Sequence, residues 1–148
     1  LLVESDADAT LERVRQLANK EDRRAATAAV CLAIAETDPS KALLAAWDLD
    51  LGKFAVDGAE NVALEALGER WAEVDLDRAL TWAATIPYDE EARGDRVIKG
   101  IARGAAKSTP DTATRVINEM MSSDNRMHID AAHEIKRYTV RDTAEARD

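Results

Sequence analysis

Only one cysteine, Cys31, occurs in the 148 residues, so neither an internal disulfide nor a cysteine-based zinc cluster can form. No apolar run approaches the roughly 20 residues that a membrane-spanning helix needs. No stretch alternates apolar and polar side chains with β-branched enrichment, so strands are not expected. Basic residues are in deficit: 20 Lys and Arg stand against 29 Asp and Glu, a formal charge of −9. A phosphate backbone would be repelled by that balance, which argues against a nucleic-acid partner. The basic residues that do cluster, among them Arg23 and Arg24 and later Arg93, Arg96, Lys99 and Arg103, alternate with carboxylates and read as solvated helix surface. Only six residues are aromatic, and proline and glycine are sparse. There is no low-complexity segment and no linker, and the length suits one domain over residues 1–148. The chain starts at Leu1 rather than Met, which leaves open the removal of a preceding segment and does not fix the compartment.

Alanine fills the space left by the missing rings, with 29 occurrences. It is the best helix former and lets helix axes approach closely. The alanines are also arranged periodically. A cap-like residue, a short helical stretch, a break and a longer alanine-rich helix recur from Asp38, Asp75, Thr109 and Asp142, at intervals of 37, 34 and 33 residues. A weaker copy starts at Asp6. A period of this length is the mark of stacked helical units, each burying its apolar face against its neighbours.

Pro39 after Asp38 and Pro110 after Thr109 have the form of an oxygen-bearing N-cap followed by proline at the first helical position. Counted from the caps, the fourth, eighth and eleventh residues fall on one helical face. That column reads Thr10, Ala42, Ala79 and Ala113, then Val14, Ala46, Ala83 and Ile117, then Leu17, Leu49, Ile86 and Met120. Counted back from the next cap, the second helix of each unit has its own apolar column. Its members are Thr27, Leu64, Ile98 and Ala131, then Val30, Leu67, Ile101 and Glu134, then Cys31, Gly68, Ala102 and Ile135, and finally Ile34, Trp71, Ala105 and Tyr138, apolar except at Glu134. The pattern predicts helices near 7–19, 21–36, 39–49, 58–73, 76–86, 90–107, 110–122 and 125–140, with a partial ninth from Asp142 and boundaries good to roughly 2–4 residues. The expected fold is all-α, a right-handed αα-solenoid of about four helical hairpins with repeats of 33–37 residues. The longest unit places its extra residues between Asp50 and Gly58, where Gly52 and Gly58 mark a looser turn and Asp57 with Glu60 has capping-box spacing.

The phrases Trp71-Ala72-Glu73-Val74-Asp75, Arg78-Ala79-Leu80-Thr81-Trp82-Ala83 and Ile86-Pro87 resemble a bacterial αα-repeat of the broad tetratricopeptide-like and HEAT-like solenoid class, as do Arg23, Ala26, Val30, Ile34-Ala35 and Asp38-Pro39. The resemblance covers nearly the whole chain but rests on small apolar residues and caps. The Trp-Leu-Gly-Tyr spacing of a strict tetratricopeptide unit is missing. The resemblance implies a protein-interaction surface and carries over no catalytic residue.

Candidate chemistry is thin. Cys31 shares its column with Gly68, Ala102 and Ile135, as a small core residue would. Gly94, Gly100 and Gly104 follow no strand, and Gly100 and Gly104 stand four apart inside a helix, which suits close packing better than a phosphate loop. His128, Asp130, His133 and Glu134 form the only cluster with metal-ligand chemistry, but both histidines of the chain lie on this one helix. Asp130 and Glu134 replace apolar residues in their columns, which suggests either a terminal unit with a solvated face or a one-residue shift of register.

One pattern points to a partner. On the helix after Asp38, Ala42, Ala46 and Leu49 take the buried stripe, yet Leu44, Trp47 and Leu51 recur on the other side. The equivalents of Leu44 in other units are Glu12, Thr81 and Arg115. An exposed patch anchored by tryptophan suits an interface, with Thr81 and Arg115 as its polar border. The alternative is that the residues after Leu51 fold back over it. The expectation is therefore a non-enzymatic protein-interaction or scaffold module without a cofactor, binding another protein or the remainder of a larger chain, with self-association open. A metal-binding protein or enzyme using His128–Glu134, and a purely structural spacer, are the other readings.

Overall fold

Capping explains where the helices begin. In the computed structural model, residues 2–53, 58–86, 91–107, 110–122, 126, 129–130 and 132–137 are described. Helices joined by short turns make up these residues, with no strand among them. The helices are α1 (Leu2–Arg15), α2 (Lys20–Ala35), α3 (Pro39–Asp48), α4 (Gly58–Ala83), α5 (Glu91–Ala106) and α6 (Pro110–Met121), and residues 132–137 are helical again. Asn19 Oδ1 accepts hydrogen bonds from the backbone N–H of Glu21 at 2.8 Å and of Asp22 at 3.1 Å, opening α2. Asp38 accepts from the N–H of Lys41 at 3.1 Å, with Pro39 in the first turn. These bonds satisfy donors that the first turn of a helix leaves without partners.

Asp75 does the same inside α4. Its backbone is extended (φ −153°, ψ 82°), close to that of Asp38 (φ −143°, ψ 82°), and its Oδ1 accepts from the Arg78 N–H at 3.3 Å. The two helices expected on either side of Asp75 are therefore present, separated by one extended residue rather than a loop. Asp6 is not a cap. α1 runs through it from Leu2, and the Asp6 carbonyl accepts from Thr10 Oγ1 at 2.6 Å. Because α1 stops at Arg15 so that Asn19 can cap α2, Leu17 lies beyond the helix and is exposed instead of buried.

The apolar columns otherwise meet in one core. Ala42, Ala46, Ala79 and Ala83 on one side and Leu64, Leu67, Ile98, Ile101, Ala102 and Ala105 on the other are almost wholly buried, with Cys31, Ile34 and Trp71. Thr10, Val30, Leu49 and Ile117 are only half-buried, and Ala113 has no described side chain. Each helix packs on its chain neighbour, α2 also packs on α4, and the most extensive contact joins α4 to α5.

Glycine sets that contact. A Cβ on Gly100 would lie 2.0 Å from the Glu65 carbonyl oxygen, one on Gly104 2.7 Å from that of Glu69, and one on Gly68 2.4 Å from that of Val97. The backbones thus touch, as only glycine permits. Gly100 lies beside Glu65, Gly104 beside Glu69 and Lys107 beside Glu73, so the two helices run parallel. Along their edge, Glu65 pairs with Arg96 at 3.2 Å and with Arg103, and Lys107 Nζ lies 2.6 Å from Glu69 and 2.9 Å from Glu73. Arg96 and Arg103 are thus half-buried ion-pair partners rather than free surface charges.

Glu60 is buried and accepts from both Arg24 Nε at 3.1 Å and the Gly52 N–H at 3.3 Å; its capping-box partner in the sequence is Asp57. Asp57 lies outside the described residues. Hydrogen bonds between helices recur at similar distances along the chain: 31 residues for Arg96 to Glu65, 33 for Arg15 to Asp48, 34 for Lys107 to Glu73, 36 for Arg24 to Glu60 and 38 for Arg115 to Asp77.

Candidate functional site

The patch expected on α3 divides at the end of the helix. Leu44 is 49 % exposed, as its place opposite Ala42 and Ala46 requires. Leu51 is not on that face at all: it is 1 % exposed and belongs to the core. The reason is local. After Leu49 the chain enters the left-handed region at Asp50 (φ 58°), and the Leu51 N–H reaches back to the Ala46 carbonyl at 2.9 Å while the Asp50 N–H reaches Trp47 O at 3.1 Å. This pair of bonds is a Schellman motif, which turns the residue after the left-handed position inward against the last helical turn. The helical extrapolation from Trp47 to Leu51 therefore fails two residues early. Gly52 follows with φ 80°, and a Cβ there would sit 2.5 Å from Leu64 Cδ1.

Trp47 is half-buried and packs against the core. Its ring meets Trp82 edge-on with centroids 5.2 Å apart, and Trp82 in turn lies 5.7 Å from Trp71. The guanidinium of Arg93 stands 3.7 Å above the Trp47 ring and donates from Nη1 to the Trp47 carbonyl at 3.2 Å. Arg93 is 4 % exposed. It is not the solvated charge expected of its run, and a desolvated guanidinium over an indole is worth about 2 kcal/mol. All three tryptophans therefore share one cluster. Their columns hint at it, since Trp47 and Trp82 lie in equivalent helices, but nothing in the local pattern of α5 singles out Arg93.

Thr81 and Arg115, the expected polar border, are both exposed. Thr81 Oγ1 donates to the Asp77 carbonyl at 2.9 Å, and Arg115 joins Asp77 and Glu119, each at 3.0 Å. Of the five residues expected at the interface, Leu44, Thr81 and Arg115 are at the surface, Trp47 is partly covered and Leu51 is internal.

The histidine-bearing segment has a different geometry. His128 lies outside the described residues. His133 is exposed, Asp130 is 3.9 Å from Arg126, and Glu134 pairs with Arg137 at 3.1 Å. The Asp130 side chain is 56 % exposed, as a solvated terminal face requires, but that of Glu134 is only 21 % exposed; both line a cleft of about 280 Å³ with His133, Arg137, Asp95, Ile98 and Lys99. Among the described residues no three metal-ligating side chains converge. Cys31 is fully buried, and burial pushes its thiol up to about 11, which keeps it protonated and poorly nucleophilic. No helix among the described residues is long and apolar enough to cross a membrane. Compared with family models, curated proteins and solved structures, the chain matches none.

Proposed function

We propose that the chain is a non-enzymatic protein-interaction or scaffold module, built as a right-handed αα-solenoid of the tetratricopeptide-like or HEAT-like kind. The observation that carries this reading is the spacing of its inter-helix contacts. Side chain-to-side chain hydrogen bonds between helices join residues 31 to 38 apart, and α4 and α5 run parallel with an intervening helix segment between them. Stacked units of one period make contacts of this kind, each unit burying its face on the next. Such stacks present extended surfaces rather than enclosed reaction sites. The surface proposed for a protein partner is centred on exposed Leu44, with half-buried Trp47 at its edge and Thr81 and Arg115 on its border.

Affinity capture tests the function when the same discrete partner is followed by mass spectrometry for the parent and for Leu44→Glu. Retention by the parent and loss by the variant, with equal melting temperatures, is the expected result. Equal retention by both removes Leu44 from the surface. Stoichiometric zinc binding at micromolar affinity or tighter, about −8 kcal/mol, would replace the scaffold reading with a metal-site one.

A further inference from the structure

α2 carries a second uncovered face. Asp22, Ala25, Ala29, Leu32, Ala33 and Glu36 are all exposed, Leu32 at 39 %. Their spacing places them in one stripe down the helix. Counted back from the following caps, Ala25, Ala29, Leu32, Ala33 and Glu36 stand where α5 has Arg96, Gly100, Arg103, Gly104 and Lys107. Those α5 residues are the ones that receive α4: the glycines lie against its backbone and the three cations pair with Glu65, Glu69 and Glu73. Within this chain, therefore, this register face takes a neighbouring helix at close range. On α2 nothing among the described residues covers it. A groove of about 520 Å³ continues the face toward α1, with Ala7, Thr10, Val30, Ala33, Ile34 and Thr37 among its walls, and it is why Val30 is only half-buried.

The charge on the α2 face differs from that on α5. Its centre is apolar where α5 has Arg96 and Arg103, and its ends are the carboxylates Asp22 and Glu36, neither of them in an ion pair among the described residues. The nearby cations are already engaged: Arg24 with Glu60, Lys41 with Asp8, and Arg23 with the Leu17 carbonyl. At the helical rise, Asp22 and Glu36 stand about 21 Å apart. We infer that this face docks an α-helix of a partner protein, with small residues and leucine on its contact side and a lysine or arginine near each end. The contact side allows close approach over Ala29 and Ala33, a larger apolar side chain enters the groove, and the terminal cations meet Asp22 and Glu36. The inference rests on the interaction-module reading and names for it a second surface and the chemistry of its partner.

A stapled helical peptide of about 18 residues, with an alanine and leucine face and lysines about 14 residues apart, is the probe, and the same peptide with glutamates at those two places is the control. Calorimetry on the full chain is expected to show the lysine peptide binding at least about tenfold more tightly than the control, the size of effect that complementary charges at an interface give. Ala29→Glu, at an exposed helical position, is expected to keep the melting temperature and to weaken lysine-peptide binding by about tenfold or more. The double variant Asp22→Lys, Glu36→Lys is expected to reverse the preference between the peptides. Equal binding of the two peptides, no binding of either, or indifference to Ala29→Glu overturns the inference. Binding lost on Leu44→Glu but kept in Ala29→Glu also overturns it, while leaving the protein-interaction reading standing on the α3 surface.

Discussion

Replacing Gly100 by alanine sets two effects of known sign against each other. In an isolated helix the change is favourable by about 1 kcal/mol, because alanine restricts the unfolded backbone and glycine does not. Here the added methyl carbon would lie 2.0 Å from the Glu65 carbonyl oxygen, 2.8 Å from its carbon and 2.9 Å from the Glu69 nitrogen. An ordinary contact needs roughly 3.5 Å, so α5 must retreat by more than an ångström. All three obstructing atoms are backbone, so no side chain can swing aside. Moving the helix loosens the core that Val97 and Ile101 share with Leu64 and Leu67 and lengthens the ion pairs at the edge. Overpacking typically costs 1–3 kcal/mol, and with rigid obstruction about 3 is the expected value. The net destabilisation is then about 2 kcal/mol, a fall of about 4–8 °C in melting temperature for a chain of this size. Urea and thermal unfolding followed by circular dichroism measure it. Gly68→Ala and Gly104→Ala should fall in order behind it, since their closest contacts are 2.4 Å and 2.7 Å, whereas Gly58→Ala meets nothing within 4 Å and should lose no stability. A Gly100→Ala protein as stable as its parent would refute the backbone-to-backbone packing of α4 on α5.

Leu67→Asp, at a position with no exposure, should unfold the protein at room temperature by burying an unpaired carboxylate at a cost of several kcal/mol, roughly, visible as loss of the helical circular dichroism signal. Glu60→Ala removes the acceptor shared by Arg24 and the Gly52 N–H; with Arg24 able to reach water, a loss of about 1–3 kcal/mol in urea unfolding is expected, and a change within error would show that the turn after α3 does not depend on it. Glu73 is held below its ordinary value of 4.5 chiefly by its hydrogen bond to Lys107, and Lys107 is held above 10.5 chiefly by Glu69 and then Glu73. The carboxylate's contribution is therefore present above pH 4.5 and lost as pH falls through its depressed value, while that of the ammonium is present below pH 10.5 and lost as pH rises through its raised value. Both groups are largely exposed, so a Lys107→Met variant should lose only a few tenths of a kcal/mol at neutral pH and flatten the acid limb of the stability profile slightly.

The helices and their core faces were legible because they depend on local spacing. Capping chemistry located Asp38 and Asp75, and the three-to-four periodicity selected Leu67, Ile101, Ala79 and Ala83 as internal before any partner helix was known. Glycine was legible at one remove: Gly100 beside the core position Ile101 had to face another helix. The acidic edge of α4 was not, because Glu65, Glu69 and Glu73 look like a solvated face until the register of α5 brings Arg96, Arg103 and Lys107 alongside. Asp6 misled for the opposite reason. It has the residue type of a cap, but a cap requires that the helix cannot continue upstream, and Leu2 to Ser5 continue it.

The tryptophan surface shows how few residues separate a correct face from an incorrect one. Leu44 and Trp47 follow the helical period, and carrying it four residues further assigns Leu51 to solvent. Helical phase persists only while φ stays negative. Aspartate accepts the left-handed region more readily than most residues, and Asp50 enters it here with Gly52 two positions on, so the helix is terminated where its apolar pattern still runs. Once Leu51 turns in, its side chain shares the core with Ala46 and Leu64, and the outer face narrows to Leu44 and one edge of Trp47. Arg93 then covers the ring from a helix that begins far along the chain. No window of the sequence contains both residues. What remains of the surface is smaller than its apolar content suggests, and Trp47→Ala should now cost stability as well as any binding: it removes the ring between Trp82 and Arg93 and leaves a buried guanidinium without its aromatic partner. A fall in melting temperature of several degrees is expected, about 2–4 °C for each kcal/mol lost. An unchanged melting temperature would mean that Arg93 does not rest on the indole, and would return Trp47 to the exposed face.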